Sequence, residues 1–218
     1  MSFAVCDMTC WCVGIQHEEH ALQKARTIRK NPTVTEPALA MQEINPAYIC
    51  WLDVPALQIH LPVVQGRDDA YYLNHAWDNT DSDLGTPFFD CMSHREDPVQ
   101  IIYGHSATYD KNAMFTPLHM LAEKEEETLT FSLQYETSSS FYEMAYAFLL
   151  PKDNGTFALR KHSFTSKTDF DQWISYAKEH TFLTISADCT MQDHYVILQT
   201  CSQNKGEFLI VIGRRCIA

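Results

Sequence analysis

The chain has 218 residues, a length typical of one domain with at most a short appendage. Apolar residues make up 45% and charged residues 20%, so the chain can bury a core and is not intrinsically disordered. There are 16 Lys and Arg against 28 Asp and Glu, a formal net charge of −12. This charge argues against general nucleic-acid binding and against a protein that binds membranes through a polybasic surface.

The first 43 residues are predicted to form a helical appendage and linker, followed by one domain over residues 44–218. An apolar stretch is followed at once by a charged one, and two interpretations remain open. The first is an amphipathic helix over about residues 5–30. The second is a truncated membrane anchor at residues 1–15, because no apolar run reaches the ~18 residues of a complete transmembrane helix.

The rest of the chain is predicted to be rich in strands. Short apolar or alternating runs, rich in Val, Ile, Tyr, Phe and Thr, lie between turn residues. They cover residues 59–64, 99–104, 129–136, 142–150, 156–162, 194–200 and 207–213. The sequence Asp-Asn-Gly at 153–155 predicts a hairpin. Five to eight short strands indicate a mainly β fold, either a closed barrel or a sandwich.

Two helices are predicted within this domain. The stronger covers residues 169–180, where apolar residues recur at helical spacing and either Thr168 or Asp169 is the predicted N-cap. A second, shorter helix is predicted over residues 113–122.

Two strand ends carry residues suited to catalysis. One apolar run ends in Gly104 and then presents His105, and another ends by presenting Cys201. A thiol protease or transferase needs a cysteine nucleophile and a histidine that protonates the leaving amine. Taken alone the pairing is weak, because His105 can simply follow a turn and Cys201 can be one more buried thiol.

A series of landmarks gives the pairing more weight through its order and spacing. They are Ile44-Asn45-Pro46, Leu61-Pro62-Val63-Val64-Gln65, Gly85-Thr86-Pro87-Phe88-Phe89-Asp90, Ile102-Tyr103-Gly104-His105, Ala113-Met114-Phe115 and Leu198-Gln199-Thr200-Cys201. With these landmarks the chain resembles the class B sortases, cysteine transpeptidases of the Gram-positive cell surface, over roughly residues 44–213.

The resemblance implies an eight-stranded sortase β-barrel with an N-terminal helical appendage and a helix between the sixth and seventh strands. It implies that Cys201 attacks a Thr carbonyl in the sorting signal of a secreted protein, and that His105 acts as general acid and base. An amine of peptidoglycan or of a pilin would resolve the thioacyl-enzyme. No metal and no organic cofactor are implied.

The resemblance also implies a place for the peptide and for the protein. The expected substrate-binding residues are Asn74, Tyr103, Leu159, Thr200 and Glu207. The protein would work at the extracellular face of the cytoplasmic membrane, associated with the cell wall and held by an N-terminal anchor that is absent or truncated in this sequence.

One expected feature is missing. Sortases place an Arg at the start of the strand after the cysteine, whereas alignment of that strand puts Glu207 at this position. Lys205 and Arg160 are the candidate substitute cations, since a guanidinium or ammonium can stabilise a developing oxyanion. The anion at 207 keeps a second interpretation open, a catalytically impaired barrel that binds a sorting signal or partner. A third is a protease that hydrolyses instead of transferring.

Overall fold

The computed structural model describes residues 19–107, 109–124, 128–153, 155, 157–183, 188–202 and 206–216. Its eight strands are β1 (Tyr48–Val54), β2 (Ile59–Gln65), β3 (Phe88–Phe89), β4 (Val99–Tyr103), β5 (Thr130–Gln134), β6 (Ser139–Pro151), β7 (Tyr195–Cys201) and β8 (Glu207–Arg215). The helices are α1, which is helical over residues 19–30, α2 (Pro37–Ile44) and α3 (Lys167–His180).

The strands form a closed barrel in the order β1-β2-β3-β4-β7-β8-β6-β5, and β5 pairs with β1 to complete it. Most pairs are antiparallel, but β2 pairs with β3 and β4 pairs with β7 in parallel. The prediction of a mainly β, eight-stranded closed barrel is therefore confirmed, and so is the helix between the sixth and seventh strands.

Alternation along the strands separates two apolar clusters. On β7, Val196 and Leu198 join the larger cluster, which draws on β1, β2, β5 and β8 and fills the barrel. Tyr195 and Ile197 point the other way, into what we call the outer cluster, formed by outward residues of β4, β6, β7 and β8 beneath α3. Side chains of this size each contribute roughly 1.5–3 kcal/mol when fully buried.

The helix α3 covers the outer cluster with one apolar face, made of Phe170, Trp173, Ile174 and Ala177. The predicted N-cap is wrong. The Ser166 hydroxyl caps the helix by accepting from the backbone N–H of Asp169 at 3.1 Å. Asp169 lies in the first turn, where its carboxylate accepts from the backbone N–H of Thr165 and binds Lys161. The helix therefore begins at Lys167, two residues earlier than predicted.

The helix α1 is held to the barrel through Trp77, which is fully buried and whose indole N–H donates to the carbonyl of Ala21 at 2.7 Å. Lys24 adds an ion pair with Asp78 at 2.9 Å. Within the described ranges no helix is long and apolar enough to span a membrane. The anchor predicted at residues 1–15 lies outside the described residues.

Several predicted elements differ from the structure. No strand forms over residues 157–162, where Phe157 and Leu159 instead pack against the outer cluster from a loop. Residue 154 of the predicted hairpin lies outside the described residues. The helix predicted at 113–122 is a 3-10 helix, Thr116–Glu123. Two strands, β1 and β3, were not among the predicted runs.

Candidate active site

The parallel pairing of β4 with β7 brings His105 and Cys201 to the same end of the sheet. Partners in this pair keep one constant offset, from Val99 with Tyr195 to Tyr103 with Gln199. The same offset separates His105 from Cys201. The backbone N–H of Gly104 donates to the carbonyl of Gln199 at 3.0 Å, so the pairing continues to the residue before His105. Because side chains alternate along strands, this register favours one common face for the imidazole and the thiol.

Both side chains line one pocket of about 280 Å³ on the outer side of the barrel. Its lining consists of Asp69, Leu73, Phe88, Tyr103, Gly104, His105, Arg160, Gln199, Thr200, Cys201 and Phe208. The walls are largely apolar and aromatic, with one cation and one carboxylate. Such a concave, mostly apolar site with a few polar groups is typical of pockets that bind peptides or small molecules.

The imidazole of His105 is oriented by the backbone. Its Nε2 lies 3.0 Å from the carbonyl oxygen of Leu73, and a carbonyl can only accept, so Nε2 carries a proton. Nδ1 is then the ring nitrogen that can accept a proton and pass it on. Leu73 ends a 3-10 helix, Tyr71–Leu73, which is tied down by the backbone N–H of Thr86 donating to the carbonyl of Tyr72 at 3.0 Å. No signal in the sequence pointed to this contact.

The thiol of Cys201 is exposed at the last residue of β7, opposite Phe208 on β8. The ammonium Nζ of Lys152 lies 3.8 Å from its Sγ. Lys152 was not predicted from the sequence, because its contact with Cys201 depends on β8 lying between β6 and β7. A prediction of that strand order is the signal that would have found it.

A second histidine supports the same strand end. His119 is half-buried, and its Nε2 lies 3.1 Å from the hydroxyl of Ser106. Burial lowers the pKa of His119, partly opposed by a hydrogen bond with the backbone of Cys201. A neutral His119 therefore links the loop that carries His105 to the strand end that carries the thiol.

Arg160 enters the pocket as part of an ion-pair network. Its guanidinium binds the carboxylate of Asp90 at 2.9 Å and that of Asp69 at 2.7 Å, and the hydroxyl of Tyr103 donates to Asp90 at 2.7 Å. Asp90 is fully buried. Burial alone would raise its pKa, but hydrogen bonds from Tyr103, Arg160 and the backbone of Met92 hold the pKa below its usual value.

The pKa values of the two side chains that bind Asp90 shift in the opposite direction, upward. Burial, followed by the hydrogen bond to Asp90, raises the pKa of Tyr103. The hydrogen bond with Asp90 raises the pKa of Arg160, which stays charged. Asp69, Asp90 and Cys91 hold potential metal-ligand atoms within 4.8 Å of one another. The guanidinium of Arg160 already binds both carboxylates, so the positive charge in this cluster comes from Arg160.

Some of the predicted site residues line the pocket in the structure and others do not. Tyr103, Thr200 and Arg160 line the pocket with His105 and Cys201. Among the described residues, Asn74, Leu159 and Glu207 lie outside that lining. Leu159 packs against the outer cluster, and Glu207 pairs with Pro151 at the start of β8. The side chain on β8 that faces the pocket is Phe208, and Lys205 lies outside the described residues.

Comparison with known proteins gives related sequences. No protein-family model matches the chain. Sortase B of Listeria monocytogenes is 26% identical over 183 residues, which are 83% of this chain and 73% of that protein. Sortase B of Staphylococcus aureus is 21% identical over 174 residues, 77% of this chain and 68% of that protein.

Solved structures share the barrel. A Staphylococcus aureus sortase B–substrate complex aligns with a TM-score of 0.79 at 16% identity, covering 94% of this chain and 98% of that one. Clostridium perfringens sortase B aligns with a TM-score of 0.72 at 23% identity, covering 82% and 99%. At these identities the matches show the fold. Together with the related sequences they support a cysteine transpeptidase in general terms. More narrowly, sequence and fold both support a class B sortase.

Proposed function

We propose that this sortase cleaves a Thr-containing sorting signal of secreted proteins and transfers it to an amine of the cell wall or of a pilin. The observation that carries the proposal is the pairing of β4 with β7, which brings His105 and Cys201 to one pocket. The largely apolar pocket is the proposed site for the peptide, with Tyr103 and Thr200 in its wall.

The proposed reaction has two steps. The Cys201 thiolate attacks the Thr carbonyl carbon, a C–S bond forms, the C–N bond breaks, and His105 gives its Nδ1 proton to the departing amine. In the second step an incoming amine attacks the thioester carbonyl and passes a proton to His105. The C–S bond then breaks and the thiolate is restored. Hydrolysis would follow the same path with water in place of the amine.

The enzyme is proposed to act at the extracellular face of the cytoplasmic membrane, in contact with the cell wall. The sortase B relatives support this location through the chemistry of the family, since both proposed substrates, secreted proteins and cell-wall amines, are found outside the membrane.

One observation favours a second candidate function, a barrel that binds a sorting signal without efficient turnover. At the start of β8 the protein has Glu207 and then Phe208, and the aromatic ring lines the pocket. Removal of one oxyanion donor typically costs on the order of 100- to 1,000-fold in rate. The two functions differ in whether a bound peptide is cleaved.

The test uses quenched fluorescent peptides that each contain one threonine, with and without a short amine acceptor. We expect cleavage after threonine, a ligated product when the amine is present, and no reaction by Cys201→Ala. Cys216→Ser, which changes another exposed thiol, is the matched control and keeps full activity. Binding of peptide without cleavage would replace the proposal by the second function, and water-only products would leave a protease.

A further inference from the structure

The proposed chemistry lacks an assigned cation at the thiol, and the structure offers one that the sequence did not suggest. Lys152 Nζ lies 3.8 Å from Cys201 Sγ. We propose that Lys152 is a catalytic residue that stabilises the Cys201 thiolate and then the negative charge that forms on the substrate carbonyl oxygen. This inference rests on the proposed function for its second half only, because stabilisation of the thiolate needs no substrate.

The backbone fixes where this side chain starts. Lys152 follows the last residue of β6, and its N–H donates to the carbonyl of Gly206 at 2.8 Å, so the pairing with β8 continues to Lys152. Leu150, Phe208 and Cys201 form one row across β6, β8 and β7. Lys152 lies two residues beyond Leu150 and therefore extends from the same face of the sheet.

The side chain then crosses β8 to reach the sulfur. Its ammonium lies 5.0 Å from the centre of the Phe208 ring, within the range of a cation–π contact. Phe208 is the residue paired with Cys201, so the ring supports the lysine beside the thiol. The lack of the expected Arg at position 207 thus does not leave the thiol without a cation, because Lys152 brings a charge from the end of β6.

The cation that lines the pocket is already paired with carboxylates. Arg160 binds Asp90 at 2.9 Å and Asp69 at 2.7 Å, so two carboxylates balance its charge. Among the described residues, Lys152 instead contacts the sulfur of Cys201 and the ring of Phe208. An ammonium is a compact charge on a flexible stem, so it can follow negative charge from the sulfur to the carbonyl oxygen as the C–S bond forms.

Three substitutions separate charge from packing. Lys152→Gln removes the charge and keeps a hydrogen-bond donor, Lys152→Arg keeps the charge, and Lys178→Gln on the exposed face of α3 makes the same change of net charge at a distance. The side chain of Lys152 is exposed, so none of these variants removes a core contact. Thermal unfolding verifies that each variant is folded.

The first readout is alkylation of Cys201 at pH 7 by neutral iodoacetamide and by anionic iodoacetate, resolved by peptide mass mapping. The attraction within an exposed ion pair is worth roughly 2- to 5-fold. We therefore expect Lys152→Gln to slow alkylation of Cys201 by iodoacetamide by about that factor. It slows iodoacetate further, because the anionic reagent also loses its attraction to the ammonium. Lys152→Arg and Lys178→Gln stay within about twofold of wild type. Equal rates in Lys152→Gln and wild type would overturn the proposal.

The second readout is the rate of acylation by a cleavable peptide. Lys152→Gln is expected to lose about 10- to 100-fold, less than a fully buried oxyanion donor, and Lys152→Arg to recover most of it. A hydroxylamine-resistant acyl group on Lys152 would also overturn the proposal, because the amine would then be an acceptor and not a cation. If no peptide is cleaved by any form of the protein, the proposed function fails while the alkylation rates still decide the role of Lys152.

Discussion

At the scale of single residues, the position of His105 depends on the absence of a side chain before it. A Cβ on Gly104 would lie 2.6 Å from the ring of Phe115, which is fully buried. The backbone N–H of Phe115 in turn donates to the carbonyl of His105 at 2.9 Å. The loop that presents the imidazole therefore packs against a rigid aromatic ring at a distance that only glycine permits.

Gly104→Ala is expected to shift this loop and misplace the imidazole. We expect a loss of at least about 10-fold in peptide cleavage and about 1–3 kcal/mol in unfolding free energy, the usual cost of overpacking. Gly155→Ala is the matched control, since a Cβ there meets no atom of the described structure within 4 Å. Cleavage rates and urea unfolding measure both effects. Wild-type cleavage by Gly104→Ala would show that the close packing does not position His105.

The environment of Asp90 predicts how the stability of the protein depends on pH. The pKa of Asp90 in the folded protein is lowered despite burial, because Tyr103 and Arg160 donate to the carboxylate. A carboxyl with a lowered folded pKa adds stability at pH values above its unfolded pKa of about 4. That stability is lost as the pH falls through the folded pKa, so it contributes to acid unfolding.

Asp90→Asn leaves the guanidinium of Arg160 without its buried partner. We expect the unfolding free energy at pH 7 to fall by about 2–4 kcal/mol, and the loss of stability between about pH 5 and pH 2 to be shallower than in wild type. Asp171→Asn, which removes an exposed pair with Lys167, is the control and changes little. Urea unfolding across this pH range tests the prediction. An equally steep acid loss in Asp90→Asn would contradict it.

At the scale of elements, the buried ring of Trp77 and its hydrogen bond are among the contacts that attach α1 to the barrel. Trp77 is fully buried and donates to the carbonyl of Ala21. Trp173, on α3, is also buried, but its indole N–H meets no acceptor among the described residues. The two tryptophans therefore form a matched pair for separating packing from hydrogen bonding.

Trp77→Phe is expected to cost about 1–3 kcal/mol of unfolding free energy and to speed amide exchange in residues 19–30. Trp173→Phe loses packing but no hydrogen bond and leaves exchange in residues 19–30 unchanged. Hydrogen–deuterium exchange with mass spectrometry measures both variants. Unchanged exchange in Trp77→Phe would show that other contacts hold α1.

The elements also show where sequence reasoning succeeded. The strands β4 and β7 were predicted from their apolar runs, and the structure buries these runs on both faces of the sheet. The strand β3 has two residues, too few to show an alternating pattern in the sequence. The alternation in residues 157–162 instead reflects Phe157 and Leu159, which pack against the outer cluster from a loop. The cap of α3 was misplaced because Ser166, Thr168 and Asp169 all favour an N-terminus, and only the three-dimensional contacts select among them.

At the scale of the whole molecule, barrel closure brings distant parts of the chain into one site. His105 and Cys201 were predicted from their strand ends, but the parallel register that aligns them is a non-local pairing. Lys152 was missed for the same reason, since its contact with Cys201 requires the strand order β6-β8-β7. Residue type suggested the chemistry, and the strand order decides which side chains meet in one site.

The central claim is that Cys201 forms a thioester and that His105 makes this possible by protonating the leaving amine. Intact mass spectrometry of the enzyme mixed with a cleavable peptide tests it most directly. We predict a hydroxylamine-sensitive acyl adduct that maps to Cys201, slower by at least about 100-fold in His105→Gln and unchanged in His94→Gln, a substitution at an exposed site. An adduct on another residue, or one that forms at the same rate without His105, would contradict the account.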